Sequence, residues 1–177
     1  MGIVFVTGID TGIGKSIATG LMARWLARRG RPVITQKLVQ TGCRGAVAED
    51  IAVHRRLMGT GLFDVDRDGT TCPCVFAYPA SPHLAARLEN REVDISAIDR
   101  ASDRLAAMHE HVLVEGVGGV LVPLAGSLSV LDYVAAPLSA DCRRLAAARR
   151  HQPHAADAGG GRAARGRGAG AGAERAT

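Results

Sequence analysis

Hydrophobic and polar positions follow two different periods over residues 1–136, and the alternation between them predicts strands and helices in turn. Three short apolar runs have the length of buried strands: residues 3–6, 32–35 and 112–114. Three longer stretches carry apolar positions at helical spacing: residues 16–29, 49–58 and 95–108. Buried strands that alternate with helices are typical of a mostly parallel sheet flanked by helices, so the pattern predicts an α/β fold.

Residues that start or stop helices mark the ends of these elements. Gly30 and Gly59 follow the first two helical stretches, and glycine commonly ends a helix. The Ser-Pro pair at 81–82 predicts a further helix start, because serine can cap free N–H groups and proline fits the first turn. Beyond the strand that ends at Glu115, another strand is expected to include the apolar residues 120–122 or to pair nearby. The first helix carries its apolar residues as one stripe: Ile17, Leu21, Met22, Trp25 and Leu26.

The pattern ends near residue 136, and residues 137–177 have a different composition. Thirteen of these 41 residues are Ala, eight are Arg and seven are Gly, and no large apolar residue follows Leu145. Such a segment buries too little apolar surface to offset the entropy of ordering it. The composition fits a disordered basic tail, an Ala-rich helix or out-of-frame translation of a GC-rich gene. We therefore divide the chain into a partial domain over 1–136 and a tail over 137–177.

Length, charge and cysteine content exclude several classes of protein. The 177 residues correspond to one domain, and the net charge of +5 belongs to the tail, because residues 1–136 hold 14 basic and 14 acidic residues. The domain therefore lacks the basic surface that nucleic-acid binding requires. No apolar run is long enough to span a membrane and no secretory signal pattern is present, so we expect a cytoplasmic protein. The four cysteines lack zinc spacing and are expected to be free thiols.

The strongest chemical signal is the glycine-rich segment at residues 8–16, which follows a predicted strand and opens a predicted helix. This is the context of a P-loop, in which backbone N–H groups and a helix N-terminus bind phosphate. Lys15 is expected to reach the β- and γ-phosphates, and the Ser16 hydroxyl is a candidate Mg²⁺ ligand. Five residues, rather than the standard four, separate Gly8 from Gly14, so an accidental glycine turn remains an alternative on this pattern alone.

Lysine is rare in this chain, which has 20 Arg and only two Lys. Arginine cannot replace the compact, flexible ammonium group of lysine at a tight phosphate site, so Lys15 and Lys37 are both candidates for phosphate binding. Lys37 follows the second strand and therefore lies at the carboxyl edge of the predicted sheet, where ligands of open α/β folds bind. The alternative is that Lys37 is an ordinary surface lysine.

Two acidic residues are candidates to hold a magnesium ion beside this loop. Glu115 ends a buried strand and precedes a glycine-rich stretch at 116–119, which would let a substrate approach the backbone closely. Asp50 lies at the start of a helix and could supply a second carboxylate, because Mg²⁺ prefers oxygen ligands. The alternatives are a surface charge at a strand end for Glu115 and a helix-dipole partner for Asp50.

Taken together, these residues resemble the dethiobiotin synthetase family. The resemblance extends through about residue 134 and is carried by five segments: residues 6–16, 37–42, 49–50, 81–83 and 114–119. The family's phosphate loop has the same five-residue gap, so the departure from the general P-loop pattern supports the resemblance. Two smaller departures are Leu38, where the family usually has Pro, and Ser16, where Thr is more usual.

The resemblance implies a reaction and a set of roles. The family forms dethiobiotin from 7,8-diaminononanoate, CO₂ and MgATP: a substrate amine captures CO₂ as a carbamate, ATP phosphorylates the carbamate, and the second amine closes a cyclic urea. The implied catalytic residues are Lys37, Lys15 and Thr11, which would contact the carbamate or the transferring phosphoryl group. The implied nucleotide and metal site comprises Gly12, Ile13, Gly14, Lys15, Ser16, Asp50, Glu115 and Gly118. Within it, the implied Mg²⁺ ligands are Ser16, Asp50 and Glu115, and Thr41 and Gly118 would place the diamine.

Two relatives within the same nucleotide-binding class are the alternatives. A ParA/MinD-like switch ATPase typically carries an additional lysine early in the loop, where this chain has residues 8–10 without one. A cobyrinate-amidating ATPase domain has closer chemistry but normally belongs to a much longer chain. The resemblance also implies that the intact protein is a homodimer whose substrate site lies between subunits.

The tail leads to one further expectation. The family continues after residues 132–134 with a strand, an Ile-Asn-His stretch and the residues that hold adenine. Codons for residues 151–157, shifted by one nucleotide, permit Ile-Asn-His-Thr-Leu-Leu. We therefore expect a synthetase that is frameshifted and truncated after about residue 136, with an incomplete sheet and no activity as written.

Overall fold

The computed structural model describes residues 2–136 and arranges three parallel strands into a sheet flanked by helices. The strands lie in the order β1-β3-β2 and are β1 (Gly2–Val6), β2 (Val33–Lys37) and β3 (His111–Glu115). Parallel pairing brings the carboxyl ends of all three strands to one edge of the sheet. The α/β fold with a parallel sheet is therefore confirmed, whereas the tail expected at residues 137–177 lies outside the described residues.

Six helices and one hairpin complete this part of the chain. The helices are α1 (Lys15–Ala27), α2 (Glu49–Met58), α3 (Asp64–Arg67), α4 (Pro82–Leu88), α5 (Ile95–Met108) and α6 (Val130–Ala135). The hairpin pairs β4 (Pro123–Ala125) with β5 (Leu128–Ser129). The bounds predicted for α2 are confirmed, and Gly59 ends that helix in the left-handed conformation. The short helices α3 and α6 escaped prediction because one or two turns show no clear period.

The core lies on the side of the sheet that faces α5. Ile34 of β2 and Val112 of β3 pack there with Ile98 and Leu105 of the helix, and all four are almost completely buried. The strand β1 was expected to be buried, but within residues 2–136 it lies at the edge of the sheet and its residues are only partly covered. Among residues 2–136, no helix has both the length and the apolar character needed to cross a membrane.

The helix α1 packs through small residues rather than through its apolar stripe. The stripe residue Trp25 is 55% exposed, whereas Thr19, Gly20 and Ala23 are buried. The reason is the close approach of α2, since a methyl group at Gly20 would lie 2.7 Å from a carbon of Leu57. The sequence stripe therefore does not identify the face of α1 that contacts the rest of the described residues.

Two local predictions are wrong in detail. Ser81 precedes α4 as expected, but its hydroxyl contacts the His83 ring at 3.2 Å and makes no capping hydrogen bond. Residues 120–122 form a turn rather than a strand, because the Val120 N–H donates to the Gly8 carbonyl and the Val122 N–H donates to that of Gly119. That turn ties the segment after β3 to the start of the phosphate loop.

Candidate nucleotide and magnesium site

The glycine-rich loop joins β1 to α1, as the sequence predicts. Gly12 and Gly14 have φ angles of 70° and 92°, which side-chain-bearing residues rarely adopt. Gly14 directly precedes α1, so the N-terminus of that helix and its free N–H groups face the loop. This arrangement suits an anion such as phosphate.

The loop packs against the glycine-rich segment that follows β3. A methyl group at Gly119 would lie 2.3 Å from the carbonyl oxygen of Ile9, closer than van der Waals contact allows. Gly116 also lies against Thr7, because a methyl group there would be 3.4 Å from its hydroxyl oxygen. Gly119 is therefore needed for this close approach of two backbone segments, whereas the space at Gly116 corresponds to ordinary van der Waals contact.

Lys15 begins α1, and its side chain folds back over the loop. Its ammonium group donates a hydrogen bond to the carbonyl of Asp10. Burial, and secondarily the positive charge of Lys37, lowers the pKa of Lys15 from its ordinary value. The two lysines thus lie close enough to act on the same anionic group, which favours binding of a multiply charged phosphate chain.

Four polar side chains converge at the carboxyl edge of the sheet. The Ser16 hydroxyl lies 3.1 Å from Asp50 Oδ1 and 2.9 Å from Glu115 Oε1. The Lys37 ammonium lies 2.6 Å from Asp50 Oδ2 and 2.9 Å from Glu115 Oε1, and it also donates to the Gly116 carbonyl at 3.0 Å. The structure therefore brings together the predicted lysine, the predicted hydroxyl and both predicted carboxylates.

Strand register and helix position explain this convergence. Lys37 and Glu115 are register partners at the ends of adjacent parallel strands, so their side chains leave the sheet together. Asp50 lies in the first turn of α2, and Ser16 lies in the first turn of α1. Lys37 is 5% exposed and Glu115 is 1% exposed, so neither is the ordinary surface charge that the sequence left open as an alternative.

The Glu115 carboxylate is stabilised in its charged form. Burial by itself would raise its pKa, but the hydrogen bond from His54 and the charge of Lys37 outweigh burial and lower the pKa to about 2. The carboxyl group is thus ionised at neutral pH, and it offers oxygen acceptors only.

His54 is a site residue that the sequence reasoning missed. Its Nε2 lies 2.7 Å from Glu115 Oε2, and the ring is completely buried. The sequence feature that could have identified His54 is its spacing from Asp50, because residues four apart on a helix share one face. A histidine one turn after a candidate metal carboxylate could therefore have been included in the predicted site.

A cleft of about 460 Å³ collects the remaining predicted residues. The site residues that line it are Thr11, Gly12, Gly14, Lys15, Ser16, Lys37, Thr41, Asp50, Glu115 and Gly118. Thr11 is exposed, and its N–H donates a hydrogen bond to Asp10 Oδ1 at 2.7 Å. Ile13 is absent from this lining, and its side chain lies instead against Gly8. Ile13 can therefore contribute to the predicted site only through its backbone.

The donor set fits a magnesium ion. Mg²⁺ is usually bound through one or two carboxylates together with substrate phosphates and water. Here the Ser16 hydroxyl lies within hydrogen-bond distance of both the Asp50 and the Glu115 carboxylates. Among residues 2–136 no group of three or more His, Cys, Asp and Glu side chains is arranged to hold a metal.

The cysteines in the described residues are free and buried, as expected: Cys43, Cys72 and Cys74. Burial raises the pKa of the Cys72 thiol to about 12, so it is protonated at neutral pH. Cys142 lies outside the described residues. Cys72 is therefore an apolar packing group and not a nucleophile.

Comparison with known proteins identifies the family that this chain resembles. A family model described as an AAA domain matches residues 3–142. The ATP-dependent dethiobiotin synthetase BioD of Chlorobaculum tepidum is 56% identical over 132 residues, which are 75% of this chain and 55% of that protein. BioD 2 of Haemophilus influenzae is 46% identical over 75% of this chain and 69% of its own length, and BioD 2 of Pasteurella multocida is 49% identical over 75% and 62%. The chain thus spans between about half and seven-tenths of the length of these relatives.

Proposed function

Because the chain belongs to the ATP-dependent dethiobiotin synthetase family, we propose that residues 2–136 form the phosphate-binding part of a ligase that makes dethiobiotin from 7,8-diaminononanoate, CO₂ and ATP. The observation that carries the proposal is the meeting of Lys37, Ser16, Asp50 and Glu115 beside the phosphate loop. Phosphoryl transfer depends mainly on positioning and on charge stabilisation, and this group supplies both.

The loop and the two lysines bind and orient the phosphates. Left-handed glycines at 12 and 14 turn the backbone so that N–H groups and the α1 N-terminus can contact phosphate oxygens. Lys15 needs only to exchange its bond to the Asp10 carbonyl for a phosphate oxygen. Lys37 lines the same cleft, where two carboxylates and a carbonyl hold its ammonium group, and it would exchange one of these three bonds for a phosphate oxygen. A preorganised cation of this kind stabilises charge that develops on the transferred group.

Ser16, Asp50 and Glu115 are the residues that would hold Mg²⁺. When bound, the ion would neutralise phosphate charge and orient the nucleotide. Glu115 serves this role because its low pKa keeps it anionic at neutral pH. Asp50 is oriented by its own backbone, since its N–H donates to Gln40 Oε1 at 3.3 Å.

The same cleft is proposed to receive the diamine. Thr41 and Gly118 lie in its lining beside Lys37, on the side formed by the segments that follow β2 and β3. Thr11 also lines the cleft, and its hydroxyl could contact a carbamate. We further propose that the intact protein is a cytoplasmic homodimer, with the second subunit completing the substrate site.

Two measurements test the proposal. The first is binding of ATP to the purified chain by calorimetry, with and without Mg²⁺. The second uses a chimera in which this chain's matched stretch replaces the corresponding 132 residues of the Chlorobaculum tepidum relative. We expect ADP release and dethiobiotin formation that both require the diamine and bicarbonate. ATP turnover by the chimera that ignores both co-substrates would instead indicate a switch ATPase and refute the ligase assignment.

A further inference from the structure

We propose that His54 is a positioning residue, which orients the Glu115 carboxylate so that one oxygen faces the magnesium site, and that Thr35 and the Arg55–Asp66 pair hold the His54 ring in place. The inference rests on the proposed function of this cleft, because it assigns a task to residues behind the candidate ligands. None of these four residues lines the cleft, and the task must therefore be carried out through Glu115.

The two oxygens of Glu115 have different partners. Oε1 lies 2.9 Å from both the Ser16 hydroxyl and the Lys37 ammonium, on the cleft side. Oε2 lies 2.7 Å from His54 Nε2, on the buried side. An ionised carboxylate only accepts hydrogen bonds, so His54 Nε2 is the donor. With Oε2 bonded in this way, rotation of the carboxylate would break a short, buried hydrogen bond.

The other side of the His54 ring is held as well. His54 Nδ1 lies 3.0 Å from the Thr35 hydroxyl oxygen, and Arg55 Nη1 donates to that same oxygen at 2.8 Å. Because arginine can only donate, the hydroxyl accepts from Arg55 and keeps its own proton for His54 Nδ1. One set of proton positions therefore satisfies the threonine, both ring nitrogens and the carboxylate.

Arg55 is fixed in turn by a bidentate ion pair. Its Nε and Nη2 lie 2.8 and 2.7 Å from the two carboxylate oxygens of Asp66, and the guanidinium also lies over the Phe63 ring at 4.8 Å. Arg55 and Asp66 are 1% and 2% exposed. A buried bidentate ion pair has few alternative geometries, so the Arg55 guanidinium holds the Thr35 hydroxyl at a defined position.

Helix α2 supplies two consecutive parts of this arrangement. Asp50 presents its carboxylate to Ser16, and His54, one turn later, contacts Glu115. The close packing at Gly20 of α1 places that turn, because a methyl group there would lie 3.3 Å from the α-carbon of His54. Both carboxylates of the candidate metal site are therefore positioned by the same helix.

The test compares two pairs of variants in the full 177-residue chain. His54→Leu removes both ring hydrogen bonds at similar volume, whereas His54→Gln retains a side-chain N–H that can reach Glu115. Thr35→Val removes the hydroxyl, whereas Thr35→Ser keeps it. Binding of a non-hydrolysable ATP analogue is measured by calorimetry over a Mg²⁺ titration and again in EDTA, and Mn²⁺ binding is measured by electron paramagnetic resonance.

We expect His54→Leu to weaken Mg²⁺ and Mn²⁺ binding in the nucleotide complex about ten- to a hundredfold, the range typical for outer-shell partners of metal ligands. His54→Gln should recover most of this loss, and affinity for the analogue in EDTA should stay unchanged in both. Thr35→Val should lose less metal affinity than His54→Leu does, and Thr35→Ser should bind the metal as the parent does. If His54→Leu fails to fold, the Thr35 pair decides by the same criterion.

Three results would overturn the proposal. The first is that His54→Leu binds the metal as tightly as the parent does. The second is that His54→Leu and His54→Gln lose metal affinity equally. The third is that the nucleotide affinity of the parent chain does not respond to Mg²⁺. Failure of the ligase assignment gives a different result: the chimera would turn over ATP without the diamine, while the ratio of metal affinities between the His54 and Thr35 variants would stay the same.

Discussion

The buried ion pair between Arg55 and Asp66 makes a strong prediction about stability. Asp66→Ala leaves the Arg55 guanidinium, which is 1% exposed, without its bidentate partner. Removing one member of a buried pair typically costs about 3–5 kcal/mol, because the remaining charge is desolvated and uncompensated. The same substitution removes the acceptor for the Thr71 hydroxyl and for the Phe63 N–H, both at 2.8 Å, so we expect the upper part of that range.

The assay is urea unfolding followed by circular dichroism. With a slope of about 2 kcal/mol per molar urea, a loss of 3–5 kcal/mol lowers the midpoint by about 1.5–2.5 M. The matched control is Asp64→Ala in the same short helix, whose ion pair with Arg67 at 3.1 Å is solvent-exposed. Exposed pairs contribute little, so this control should leave the midpoint nearly unchanged. Equal shifts in the two variants would refute the assignment of stability to the buried pair.

The dependence on pH provides a second readout of the same pair. Burial favours the neutral acid, but the hydrogen bonds from Arg55 and the Phe63 N–H dominate and lower the pKa of Asp66 below its ordinary value. A carboxyl group whose pKa is lowered by folding stabilises the fold fully above its unfolded pKa and loses that contribution as the pH falls. Below about pH 5, the unfolding free energy of the parent should therefore decrease more steeply than that of Asp66→Asn. Parallel curves would contradict this explanation.

Three further predictions concern the cleft. In the chimera, Lys37→Ala should lower the turnover number about 10²–10³-fold with a much smaller change in ATP affinity. The control Arg31→Ala, which removes an exposed cation near β2, should change neither quantity. Equal turnover of Lys37→Ala and parent would identify Lys37 as structural. Glu115→Gln should raise the Mg²⁺ concentration needed for half-maximal nucleotide binding without affecting binding in EDTA, as calorimetry can check. Gly119→Ala should destabilise the packed loop by about 1–3 kcal/mol in urea unfolding, whereas Gly61→Ala, with open space around its α-carbon, should not.

Local periodicity was sufficient to predict the elements whose ends are chemically marked. The helix α2 begins at Glu49 and ends before Gly59, and its bounds agree with the sequence because a left-handed glycine stops it. The strand β3 was recognised because its residues 112–114 are buried and uniformly apolar, as in a strand that is covered on both faces. Edge position was not predictable for β1, since an equally apolar run can occupy either the centre or the edge of a sheet.

The face through which α1 packs shows a second limit of sequence reasoning. An apolar stripe indicates which side of a helix avoids water, but α1 contacts α2 through Gly20 and its small neighbours. Small residues allow close approach of two helices without adding to an apolar period. The contact that places Asp50 and His54 near Glu115 was therefore invisible to the pattern, although each of those side chains depends on it.

The sequence predicted those residues of the candidate site whose place follows directly from the order of strands along the chain. The loop, Lys37 and Glu115 follow strands whose carboxyl ends meet, so a parallel sheet is enough to bring them together. Asp50 could not be decided in this way, because a helix start favours a carboxylate even when no metal is near. Its contacts with Ser16 and Lys37 place Asp50 in the cluster at the carboxyl edge of the sheet, and metal binding by Asp50 stays a prediction.

Arg55 and Asp66 were unpredictable for a different reason, because charged side chains are rarely buried and the two residues lie on separate helices. Their burial also requires an explanation beyond stability, since a buried ion pair can often be replaced by apolar residues at little cost. An apolar pair, however, has no donor for the Thr35 hydroxyl, and the ring of His54 would then lose its fixed partner. Arg55→Met combined with Asp66→Leu should thus restore much of the unfolding free energy lost in Asp66→Ala while still weakening metal binding.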